Sequence, residues 1–78
     1  MTLRIWHKGD RVRIQFGEAH ADGMVLIASG NGRSLMLSFD AILGGYVGMM
    51  AVLAGADDVF RDLITDEPVH LTEIGGSA

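Results

Sequence analysis

The chain has 78 residues, a net charge of −4 and no cysteine. That describes one domain, too short for a large core and without a disulfide framework to support it. Apolar residues make up 49% of the sequence, too many for a disordered chain.

Charge is split along the sequence. Residues 1–39 carry five Lys or Arg (Arg4, Lys8, Arg11, Arg13, Arg33) against three acids, a net +2. Residues 40–78 carry Arg61 against seven acids, a net −6. Such a split marks a basic binding patch, an acidic partner surface, or two halves that pack together and neutralise each other. The opening MTLRIWHKGD is charged within four residues and has no apolar stretch of the signal-peptide kind. Without cysteine there is no reason to expect secretion, so a cytoplasmic protein is expected. The domain should span 1–74, with 75–78 a flexible tail.

Leu3 to Trp6 is a short apolar-leaning segment, and His7 to Asp10 is a turn around Gly9. Arg11 to Phe16 (RVRIQF) alternates strictly, which predicts a half-buried strand with Val12, Ile14 and Phe16 inward. Gly17 to Gly23 reads as a polar loop.

Met24 to Phe39 (MVLIASGNGRSLMLSF) is the organising stretch. Asn31-Gly32 between two apolar runs predicts a hairpin with a type I′ turn, both central residues at φ > 0. That turn pairs Ser29 with Ser34, Ala28 with Leu35, Ile27 with Met36, Leu26 with Leu37, Val25 with Ser38, and Met24 with Phe39. Directly opposed residues share a face. Met24, Leu26, Ala28, Leu35, Leu37 and Phe39 are therefore the expected core face. Val25, Ile27, Ser29, Ser34, Met36 and Ser38 form the opposite face.

Ala41 to Ala56 contains no charge. A helix capped by Asp40 would have to accommodate Gly44, Gly45 and Gly48, at about 1 kcal/mol each relative to Ala. The reading favoured is a loop or single turn over 40–45, then a buried strand from Tyr46 to Leu53. Sixteen uncharged residues fall short of the ~20 that cross a bilayer as a helix, so no transmembrane span is expected. Ala54 to Asp58 is a turn. Val59 to Ile64 fits a strand or a short helix, 65–68 a turn, and Val69 to Ile74 an alternating strand.

The expected fold is all-β: five or six short strands around the 24–39 hairpin, as a small barrel or a strongly bent antiparallel sheet, with room for one short helix or helical turn within 40–50. The order of turns resembles an SH3-like small barrel, and Lys8 to Ile14 (KGDRVRI) is similar to the opening strand of many such domains. A superfold of this kind implies no activity by itself.

No nucleophile–base pair, phosphate loop or metal spacing can be assembled. His20-Ala21-Asp22 is a lone His-x-Asp with only His7 and His70 to complete a set. The expectation is therefore a non-catalytic protein without metal or cofactor, and two readings of its role follow. In the first it is an interaction or assembly module acting as a homo-oligomer, with another protein as a further partner. Val25, Ile27, Met36, Met49 and Met50 are its interface candidates, since methionines pack adaptably against partner surfaces. In the second it is a small barrel binding single-stranded nucleic acid through Arg4, Trp6, Lys8, Arg11 and Arg13, where an indole stacks on bases and cations meet phosphates. A sequence pI of about 5.0 counts against that second reading.

Overall fold

The computed structural model describes residues 5–74. Arg4 and the tail 75–78 lie outside the described residues. Among those described there are six strands and no helix: β1 (Arg11–Phe16), β2 (Ala19–Ala28), β3 (Ser34–Leu43), β4 (Tyr46–Ala54), β5 (Phe60–Asp62) and β6 (Val69–Glu73). All pairings are antiparallel, in the order β5-β4-β3-β2-β1-β6. The bridge Arg61↔Pro68 brings the two outer strands together. The sheet is thus a nearly closed, SH3-like small barrel, as expected.

β1 follows its pattern: Val12, Ile14 and Phe16 are buried and Arg11, Arg13 and Gln15 are exposed. The expected loop over 17–23 is mostly strand. Gly17 and Glu18 alone make the turn, because Phe16 pairs with Ala19 and Gln15 with His20.

The central hairpin has the expected register near its tip. Ser29 N donates to Ser34 O (2.9 Å), Ala28 pairs with Leu35, and Ile27 with Met36. A bulge at Leu26 then shifts the ladder by one residue: Val25 pairs with Leu37, Met24 with Ser38, and Gly23 with Phe39. Inside and outside exchange on β2 beyond that point. Val25 turns inward, Met24 turns outward, and Leu26 is half-buried rather than core. Leu35, Leu37 and Phe39 are core, as expected, and Ala28 packs against them. Gly23 faces β3 so closely that a Cβ there would collide with the Ser38 carbonyl oxygen.

The turn itself is also different. Gly32 alone takes positive φ (+71°), and Asn31 does not. Asn31 acts through its side chain instead: Oδ1 accepts from the Ser29 hydroxyl (2.7 Å) and from Arg33 N (3.0 Å). The pair of positive-φ residues joining two strands sits at Gly44-Gly45 (+59° and +92°), between β3 and β4. The region 40–45 is therefore the end of β3 and a tight turn, with neither loop nor helical turn. β4 runs from Tyr46 to Ala54 as a strand, as expected, but only its inner side is buried, and Val47, Met49 and Leu53 are exposed. β5 is shorter than the expected 59–64, since residues 63–65 turn away.

A buried carboxylate fixes that turn. Asp62 accepts from the Tyr46 hydroxyl (2.6 Å to Oδ2), the Thr65 hydroxyl (2.8 Å) and Ile64 N (3.0 Å). Burial by itself would raise the Asp62 carboxyl, but these donors outweigh it and hold it below its ordinary value. The same contact, together with burial, pushes the Tyr46 phenol up to about 12.

Candidate interaction surface

Cross-strand pairing carries the outward side chains of β2, β3 and β4 into rows. Ile27 faces Met36, and Met36 faces Ala51. Met24 faces Ser38, and Ser38 faces Met49. Ser34 faces Leu53. Leu63 N donates to Ala51 O (3.2 Å), which sets Leu63 beside Ala51 past the end of β5. Beyond the register shift in β3, Ile42 faces Val47. Met24, Ile27, Ile42, Val47, Met49, Leu53 and Leu63 are all exposed. Ile27 is 64% exposed and Met49 54%, so these are open apolar side chains and not the rim of the core.

The structure therefore sorts the five interface candidates. Ile27, Met36 and Met49 lie together on this outer face, with Met36 half-buried. Val25 and Met50 do not. They meet Leu37 from either side in the core, at 0% and 2% exposure. Val25 is moved by the bulge at Leu26. Met50 is inside because its ladder partner Leu37 is inside. Sequence reasoning missed Met24, Ile42, Val47, Leu53 and Leu63. In β4 the inward Met50, Val52 and Ala54 and the outward Val47, Met49, Ala51 and Leu53 are equally apolar, so hydrophobicity could not assign faces there.

The basic candidates come out differently. Trp6 is 4% exposed and belongs to the core, so its ring offers no stacking face. Lys8 is exposed in the turn before β1, and Arg11 and Arg13 stand on its outer side. Arg13 is directly opposite Asp22 and binds it through two nitrogens (Nε–Oδ1 2.8 Å, Nη2–Oδ2 3.3 Å). The hydrogen bond from Arg13 holds the Asp22 carboxyl below its ordinary value. Arg33 is tied to Asp58 (3.0 Å) and to the Gly55 carbonyl. Arg61 is tied to Asp57 (3.0 Å), whose carboxyl falls to about 2 chiefly through that hydrogen bond. Of these three pairs only Arg33–Asp58 joins the two halves of the sequence; Arg13–Asp22 and Arg61–Asp57 each pair within one half and leave the charge split between halves in place.

His20 and Asp22 share the outer side of β2, but Asp22 is committed to Arg13. His20 and His70 stand opposite Gln15 on its two sides. Among the described residues, no group of three or more His, Cys, Asp or Glu is placed to hold a metal. No described helix is long and apolar enough to cross a membrane. No family model, curated protein or solved structure matches the chain.

Proposed function

We propose that this protein is a non-catalytic interaction or assembly module that acts as a homo-oligomer through the outer face of β2, β3 and β4. The observation that carries the reading is the continuous set of exposed apolar side chains on three paired strands, with Ile27, Met36, Met49 and Leu53 at its centre. At ~3.3 Å per residue and ~4.8 Å between strands, the patch from Val47 to Leu53 and from Ile27 to Leu63 covers roughly 300–400 Å² in projection. That matches the largest apolar patch of a typical monomer, which is often functional.

The occupant best suited to it is a second copy of the chain. The protein carries a net charge of −4, so copies approaching at random repel. On β2, β3 and β4 the outward residues of these rows are uncharged, with Arg11 opposite Met24 and Arg61 opposite Leu53 at the margins, and this is where two acidic copies meet with least repulsion. A two-fold contact lays the same patch on itself, as in most soluble homo-oligomers. Association also adds apolar burial to a 78-residue chain whose own core is small.

Light scattering and sedimentation test the reading. The wild type should exceed the 8.3 kDa of one chain. Met49→Lys and Ile27→Lys should each give a folded monomer, because both side chains are already exposed within the chain. A wild type that stays monomeric at high concentration overturns the proposal.

A further inference from the structure

We propose that Met24 and Met49, joined by Met36, are oxidation sites, and that a peroxide converting their thioethers to sulfoxides disperses the assembly. This rests on the self-association proposed above. Met24 on β2 and Met49 on β4 stand in one row, on either side of Ser38 on β3. Both are exposed in the free chain, at 40% and 54%, so peroxide reaches them whenever the contact opens. Met36 is two residues along β3 on the same face and half-buried. Met50, next in sequence to Met49, points into the core.

The chemistry balances with a peroxide alone. A sulfur lone pair attacks one peroxide oxygen, the O–O bond breaks, an S–O bond forms, and water leaves. Each sulfur gives up two electrons and the peroxide accepts them. The product is a polar acceptor where an apolar side chain stood. In the free chain water solvates it. In a contact between two copies it must find a donor or remain unpaired. The surrounding side chains Ile27, Ala51, Leu53 and Leu63 carry none. Arg11, the ladder partner of Met24 on β1, and the Ser38 hydroxyl between Met24 and Met49 are the donors nearest the two sulfoxides, so each exchanges its water shell for at most one protein donor in the contact, and Met36, between Ile27 and Ala51, has no donor across the ladder. Oxidation therefore weakens association and leaves the fold intact, since the core methionine is shielded.

The experiment treats the full chain with hydrogen peroxide, locates sulfoxides by peptide mass mapping, and measures self-association by sedimentation. Met24 and Met49 should oxidise first, Met36 more slowly, and Met50 last. The dissociation constant should rise at least ~10-fold with an unchanged circular dichroism spectrum. Reduction by a methionine sulfoxide reductase should restore the assembly. The triple variant Met24→Leu, Met36→Leu, Met49→Leu should assemble and ignore peroxide, and the double variant Met24→Leu, Met49→Leu repeats the test if the triple does not fold. Undiminished association with Met24 and Met49 fully oxidised overturns the inference, as does Met50 oxidising as fast as Met49, or a variant as peroxide-sensitive as the wild type. A reduced wild type that is already monomeric overturns the assembly reading itself, which tells the two failures apart.

Discussion

β1 and β4 lie in the same sheet and each turns one side to the core, yet their other sides differ completely. β1 places Arg11, Arg13 and Gln15 outward, and β4 places Val47, Met49, Ala51 and Leu53 outward. On β1 the outer residues are matched to water and to a cross-strand carboxylate, Asp22. On β4 they are matched to neither. A strand's inward side chains are set by the fold alone, whereas its outward ones report what the strand meets after folding. That contrast is the basis for the proposed self-association.

The strongest way to break the contrast is to make one change at two adjacent positions of β4. Met50→Lys puts an unpaired charge into the core and should abolish cooperative melting, because burial of such a charge costs several kcal/mol. Met49→Lys should leave the melting temperature of the monomer nearly unchanged, within about 0.5 kcal/mol, as at an exposed position. Equal effects at the two sites would remove the inside–outside assignment. Next in size is Leu37→Ala, which should lower stability by ~2–5 kcal/mol in urea denaturation, since Leu37 lies fully within the core.

Asp62→Ala should cost about 1–3 kcal/mol by leaving the Tyr46 hydroxyl and Ile64 N without their acceptor. The same site sets a pH dependence at both the alkaline and the acid extreme. The Tyr46 phenol is raised when folded, so its contribution is complete below the ordinary value near 10 and is lost as pH climbs through about 12. Asp62 is lowered when folded, so its contribution is complete above the ordinary carboxylate value and is lost as pH falls through its folded value. Melting curves followed at both extremes should lose these terms in Asp62→Ala. Arg13→Ala should cost only ~0–1 kcal/mol, because the Arg13–Asp22 pair is solvent-exposed. A larger loss would mean that the outer side of β1 is less wet than its composition suggests.

The inward residues of β1 could be read directly, because polar and apolar side chains alternate there. The hairpin register could be read only as far as the bulge. Turn chemistry fixes Ala28↔Leu35 and Ile27↔Met36, but nothing in the apolar run Val25-Leu26-Ile27 marks Leu26 as the extra residue. One such residue was enough to exchange Val25 and Met24 between core and surface. The interface candidates suffered for the same reason: Ile27, Met36 and Met49 come together outside, while Val25 and Met50 belong to the core. Trp6 sits in the core, the place that the acidic composition of the chain favours over a stacking platform. Gly44-Gly45 was legible as a break in a helix. Its role as a two-residue strand connection depends on β3 continuing through Asp40, which a local reading takes for a cap.

The pairing of β6 with β1 has a consequence for biosynthesis. The meander from β1 to β5 is built from neighbours in sequence, so each new strand can dock on the one made just before it. β6 is the exception: it docks on β1, so β1 keeps an open edge until β6 has been made. An open edge is a template for another chain. Charged side chains such as Arg11 and Arg13 are of the kind that discourage edge-to-edge pairing between copies.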